Sequence, residues 1–139
     1  MKTILMIEDE AMLSELFAEY VQMLPDVEYL GCCAEGSTAL KRCFDLKPNV
    51  VVLDIRLPGV NGLEMLRQIR KTLPDTKVLV FSGSLDAYSV RMALEGDAHG
   101  FIEKAYGLME LNKGISEVLA GRRYYTSGAM EYVVKLRNE

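Results

Sequence analysis

The chain of 139 residues predicts an α/β fold built on a parallel sheet. Two observations carry this. Short β-branched runs recur at 3–7, 27–34, 50–53, 77–81 and 100–102, and each is followed by a longer segment with apolar residues at helical spacing. Strands that alternate with helices build βαβ units, which pair their strands in parallel.

The runs at 3–7, 50–53 and 77–81 are almost wholly apolar, as strands covered on both faces should be. The run at 27–34 carries Glu28 and Tyr29 and suits an edge. With the second strand at the edge the order is 2-1-3-4-5, a flavodoxin-like (βα)5 three-layer sandwich with a five-stranded parallel sheet. The first helix is marked by Met12, Leu13, Leu16, Phe17, Tyr20, Val21 and Leu24, one stripe at a period of about 3.6 residues. Leu63, Leu66, Ile69 and Leu73 mark the third, and Leu108, Leu111, Ile115, Val118 and Leu119 the fifth. Shorter helices are expected over 37–46 and 86–95. Pro25, Pro48 and Pro74 each fall just past a helix, and Gly96 is expected to be the left-handed residue that ends one.

Residues 1–120 are thus expected to form one domain. Residues 121–139 read as a linker or tail with a short helix, capped by Ser127 and carrying Met130, Val133, Val134 and Leu136. No apolar run is long enough for a membrane span, and Met1-Lys2 leads directly into a strand, so a cytoplasmic chain without membrane contact is expected. The net charge of −4 argues against a grip on nucleic-acid phosphates by this chain. Cys32, Cys33 and Cys43 fit neither a disulfide framework nor a zinc pattern and read as small, reduced hydrophobes.

In this strand order a ligand sits where the order reverses, outside the carboxyl ends of the first and third strands. The first strand ends in "ILMIEDE", which puts Glu8 and Asp9 there, and the third ends at Asp54. Helix capping accounts for an acid at 8 or 9 but not for Asp54 on another strand. At a separation of roughly 4 Å two such charges repel by about 4 kcal/mol at an effective dielectric near 20, so a counterion is needed. Hard oxygen ligands with room for water suit Mg²⁺, or Mn²⁺. The fourth strand, "VFSGS", brings Ser82 to the same edge, and the fifth, "FIEKA", brings Lys104. A carboxylate nucleophile, a metal, a hydroxyl and a lysine are the equipment of phosphoryl transfer to an aspartate.

These motifs, "ED" at 8–9, "LDIRLPGVNG" at 53–62, "FSGS" at 81–84 and "FIEKA" at 101–105, resemble the receiver domain of bacterial two-component response regulators. The resemblance covers residues 2 to 120. It implies that Asp54 accepts a phosphoryl group from a partner histidine kinase. It implies that Asp9, Asp54 and the Arg56 backbone carbonyl hold Mg²⁺, with Glu8 in the outer shell. Ser82 and Lys104 would bind phosphoryl oxygens, Phe101 would be the aromatic switch, and Arg56 and Ser84 would tune dephosphorylation. The output surface would be the fourth helix, fifth strand and fifth helix, with Tyr88, Met92 and Tyr106 as candidate exposed contacts. Glu8 stands where aspartate is more usual, Phe101 where tyrosine is common, and Ala105 where proline often follows the lysine, so a cis bond there would cost several kcal/mol.

The tail stretch "LAGRRYY" resembles the linker of the LuxR/NarL class, which leads to a helix-turn-helix domain. A longer transcription factor that contacts DNA through a missing C-terminal domain is therefore expected, and a stand-alone receiver acting by protein–protein contact is the alternative. Homodimerisation on phosphorylation is implied by the family. His99, the only histidine, is expected before the fifth strand, so the phosphoryl donor is another protein. A flavodoxin-type electron carrier would need a neutral loop after the first strand, where this chain is acidic. A turnover phosphatase would want a second carboxylate beside Asp54, where Arg56 and Leu57 stand; the chain reads as a switch and not an enzyme. A degenerate receiver would lack the complete set.

Overall fold

The run VVVL forms β3 (Val50–Leu53), and all of it is buried. In the computed structural model, which describes residues 1–139, this strand lies inside a parallel sheet. The other strands of the sheet are β1 (Lys2–Ile7), β2 (Val27–Cys33), β4 (Lys77–Ser82), β5 (Gly100–Glu103) and β6 (Tyr124–Tyr125). The order is β2-β1-β3-β4-β5-β6, so the expected reversal between β1 and β3 holds. The helices are α1 (Ala11–Tyr20), α2 (Gly36–Leu46), α3 (Gly62–Thr72), α4 (Ala87–Glu95), α5 (Leu108–Leu119) and α6 (Ser127–Arg137). None is long and apolar enough to cross a membrane.

The period of two along each strand sorts side chains onto two faces. Ile4 and Met6 of β1 join Phe17, Leu111 and Ile115 beneath α1 and α5. Leu5 and Ile7 join Leu66, Ile69, Val90 and Phe101 beneath α2, α3 and α4. Each fully buried Leu, Ile or Phe contributes about 1.5–3 kcal/mol relative to exposure, and this fixes where the strand ends fall. Cys33 and Cys43 are buried and unpaired, and burial pushes the Cys43 thiol up to about 12.

Five expectations are corrected. The sheet has six strands rather than five. Two residues carry no alternation, so β6 leaves no mark in the sequence; it is held by Tyr124 N–H on His99 O and Thr126 N–H on Phe101 O, at 3.0 and 3.2 Å. The tail is no simple linker, because α6 buries Ala129 and Val133 in the core under α4 and β5. Gly96 is not left-handed (φ −82°); Asp97 is (φ 58°), and Gly96 is needed because a Cβ would lie 2.4 Å from Leu66 Cδ2. Thr126, not Ser127, holds the N-cap position of α6, with no side-chain capping bond, while Ser127 Oγ meets Tyr106 OH at 2.8 Å. Met92 is a core residue, whereas Tyr88 and Tyr106 are exposed.

The loop that carries Asp54 is fixed by glycine and a cap. A Cβ on Gly62 would lie 1.9 Å from Ile55 O, so only glycine lets α3 start this close to the loop. Asn61 Oδ1 accepts the Glu64 N–H at 3.0 Å and caps the helix.

Candidate functional site

Glu8, Asp9 and Asp54 come together beyond the carboxyl ends of β1 and β3, with a carboxylate oxygen from each within 4.8 Å of the others. Asp54 N–H donates to Ile7 O at 3.0 Å, which ties the third strand's end to the first. Asp54 Oδ1 accepts the Arg56 N–H at 3.0 Å. Glu8 is 2% exposed, and its Oε2 accepts the Asp9 and Glu10 N–H groups at 3.1 and 3.0 Å, the work of a helix cap done from upstream. Asp9 is exposed, and no lysine or arginine pairs with it.

Lys104 enters this cluster from the end of β5. Its Nζ lies 2.8 Å from Glu8 Oε1, 3.1 Å from Glu10 Oε1 and 3.2 Å from Asp54 Oδ2. Burial alone would lower the Lys104 pKa, but the Glu8 hydrogen bond, the Asp54 charge and the Glu10 hydrogen bond outweigh it and hold the ammonium well above its ordinary range. Burial raises the Glu8 carboxyl, and Asp54 adds to the rise, against the pull of Lys104. One ammonium therefore serves three carboxylates, with Asp9 unpaired beside them, and the Glu8, Asp9 and Asp54 oxygens, within 4.8 Å of one another, repel by about 3 kcal/mol per pair at an effective dielectric near 20. All-oxygen donors with excess negative charge fit Mg²⁺ or Mn²⁺.

The other residues expected at this edge are arranged around the cluster. Ser82 is wholly buried at the end of β4, opposite Glu103 in the register, and its hydroxyl faces its own chain. It donates to Ser84 O and accepts from Ser84 N–H, at 3.0 and 3.1 Å. A Cβ on Gly83 would touch the Lys104 stem at 3.8 Å. Phe101 is fully buried between Val80 and Tyr125. The peptide after Lys104 is trans, and Ala105 belongs to a short 3-10 turn. His99 is at the far end of β5, where its Nδ1 accepts the Val78 N–H at 3.0 Å and burial pushes its pKa down to about 4.

Two features escape the sequence reading. Glu10 is a third acid on Lys104, signalled only by the run "EDE". The Arg56 side chain turns away from the acids to α4. Its Nε and Nη2 donate to Ser89 Oγ at 2.9 and 2.7 Å, and Nη2 reaches both Asp86 oxygens at 3.2 and 3.1 Å. The Tyr88 ring lies over the guanidinium at 5.1 Å. The Ser89 N–H, and then Arg56, hold the Asp86 carboxyl below its ordinary value.

Comparison with known proteins shows the family. The family described as the response regulator receiver domain matches residues 4–116. The chain is similar to the response regulator GacA of Pseudomonas aeruginosa, 36% identical over 107 residues that cover 74% of this chain and 50% of that protein. It is similar to the nitrate/nitrite response regulator protein NarL of Escherichia coli, 32% identical over 119 residues that cover 86% and 55%. The chain thus spans about half the length of these curated relatives. The crystal structure of a LuxR-family two-component response regulator from Aurantimonas sp. SI85-9A1 superposes with a TM-score of 0.89 at 26% identity, covering 99% of this chain and 98% of that one.

Proposed function

The chain belongs to the receiver-domain family of two-component response regulators, in the LuxR/NarL group, and from that premise we propose that it is a switch thrown by phosphorylation of Asp54. The observation that carries this reading is the Glu8–Lys104–Asp54 cluster, held at the carboxyl ends of three strands with more acid than base.

Asp9, Asp54 and the Arg56 carbonyl would hold Mg²⁺ or Mn²⁺, with Glu8 in the outer shell; when bound, the cation offsets carboxylate repulsion and the charge on the transferring phosphoryl oxygens. The backbone bonds to Ile7 O and from Arg56 N–H hold Asp54 in one orientation, which is what an in-line attack requires. A carboxylate oxygen of Asp54 bonds to phosphorus on a phosphohistidine of the partner kinase as the P–N bond breaks, and that electron pair stays on the imidazole. Lys104, 3.2 Å from Asp54 Oδ2, then pairs with a phosphoryl oxygen. Ser82 exchanges the Ser84 carbonyl for a second phosphoryl oxygen, and Phe101 follows the space that Ser82 leaves. Moving the population from mostly off to mostly on takes about 5 kcal/mol of differential interaction, within the range of several charge-assisted bonds.

Residues 1–120 form the switch in this reading, and the tail reads it out. β6 and α6 rest on β5 and α4, the elements next to Ser82 and Phe101. The output is transcription, through a DNA-binding domain beyond these residues and with dimerisation on phosphorylation, as the group to which the chain belongs implies. The test is incubation with acetyl phosphate and Mg²⁺. One acid-stable, base-labile phosphoryl group is expected, absent without the cation and absent from Asp54→Asn. Equal labelling of Asp54→Asn and the wild type would overturn the assignment.

A further inference from the structure

Arg56 touches Asp54 through its backbone and the start of α4 through its side chain. Its N–H holds Asp54 Oδ1, and its guanidinium holds Ser89 and Asp86. Asp86 caps α4: its Oδ1 accepts the Ser89 N–H at 2.7 Å as well as an Arg56 N–H. Arg56, Asp86 and Ser89 therefore close a ring of hydrogen bonds around the first turn of α4. The ion pair alone is half exposed and would contribute little. The two bonds to Ser89 set it apart, because Ser89 is fully buried and its hydroxyl is aimed at the guanidinium. Tyr88, itself exposed, covers the outer face of the guanidinium.

We propose that Arg56 is a positioning residue that latches the amino end of α4 to the Asp54 loop, so that the charge state of Asp54 reaches α4 through this side chain. This rests on the reading of Asp54 as phosphoacceptor. A phosphoryl group on Asp54 adds negative charge and strong acceptor oxygens close to the Arg56 N–H and competes with Asp86 for the guanidinium. The ring around the first turn of α4 opens, and that turn frays. Phosphorylation thus acts on α4 from its amino end, independently of the Ser82–Phe101 route.

Amide hydrogen exchange at Ser89 and Val90, whose N–H groups bond to Asp86 Oδ1 and Asp86 O, tests the latch in the intact chain. In the unphosphorylated protein Arg56→Met should speed exchange there about tenfold, since these amides open locally once the ring is cut. Arg56→Lys, which keeps the charge but loses the fork, should fall between. Arg70→Met cuts an ion pair at the other end of α4 and should leave these amides unchanged. Acetyl phosphate with Mg²⁺ should bring wild-type exchange toward the Arg56→Met level and add nothing in the variant. Wild-type exchange in Arg56→Met, or equal acceleration by Arg70→Met, would overturn the latch. So would a labelled Asp54 with no change at α4. Failure of Asp54 to label would instead remove the phosphoacceptor reading, while the comparison of unphosphorylated variants still decides the latch.

Discussion

Two charged clusters sit at opposite ends of the central strands and are built in opposite senses. At the carboxyl end Glu8, Glu10 and Asp54 share one ammonium, that of Lys104, and Asp9 stands beside them unpaired. At the amino end Arg70 and Arg123 share one carboxylate, that of Asp97. The arginines settle their excess within the chain: Arg70 also donates to Asp97 O and Pro74 O, and Arg123 to Ala98 O. Their hydrogen bonds outweigh the burial of Asp97 and hold its carboxyl below the ordinary range. The acids have no such outlet, because backbone N–H groups reach only Glu8 and Asp54 and leave Asp9 bare. A charge count alone does not separate a clasp from a functional site. Whether the excess is absorbed by the chain does, and on that measure the amino end is a finished structure, whereas the carboxyl end keeps an acidic cluster that could hold a cation.

Removing the lone cation should give the largest contrast. Lys104→Met strands Glu8, whose side chain is 1% exposed, and should cost about 4 kcal/mol in urea unfolding at neutral pH without divalent ions. Arg70→Met, on a carboxylate that is 58% exposed, should cost about 1 kcal/mol or less. Equal losses would erase the distinction between the two ends.

The amino end has its own buried titratable group. His99 folds as the neutral imidazole, with a pKa lowered from 6.5 to about 4. A base with a depressed pKa contributes stability that is present above its unfolded value and lost as pH falls through the folded one. The advantage of wild type over His99→Gln should therefore shrink by about 3 kcal/mol between neutral pH and about pH 4. A difference that does not move with pH would mean that His99 is not held neutral.

These two predictions also separate what the sequence carries from what it does not. Asp54, Glu8 and Lys104 were legible because each ends an apolar strand, and a parallel sheet delivers such ends to one edge. His99 was legible only as a residue before β5; its bond to Val78 depends on a register that no local pattern encodes. The side-chain contacts of Arg56 were not legible in "LDIRLPG" because its partners lie 30 and 33 residues on, at a helix start. Asp97 was missed for a related reason. Gly96 carried the usual mark of a helix end, but close packing on Leu66 accounts for that glycine, and the left-handed turn passed to the next residue, whose carboxylate two arginines hold.

A cation should act on one end alone. At a hundredfold excess over its dissociation constant, Mg²⁺ should stabilise the wild type by about 2.7 kcal/mol, seen as a rise in Tm. Asp9→Asn should lose most of that rise, and Asp97→Asn should keep it all. A rise that survives Asp9→Asn would remove Asp9 as a ligand.

The smallest effect is the sharpest, because it turns on a sign. Replacing an acid by its amide usually removes a favourable partner, and at the amino end it should: Asp97→Asn leaves Arg70 and Arg123 facing each other and should destabilise by about 1 kcal/mol. At the carboxyl end the same change should stabilise. Asp9 has no cation of its own and lies within 4.8 Å of Glu8 and Asp54, so Asp9→Asn removes repulsion and little else. The exposed position of Asp9 limits the gain to about 0.5 kcal/mol, and salt should reduce it further. Measured in urea without divalent ions, the two amides should move the midpoint in opposite directions. If Asp9→Asn destabilises, the four acids are already balanced by Lys104 and the backbone, and the carboxyl end is as finished as the amino end.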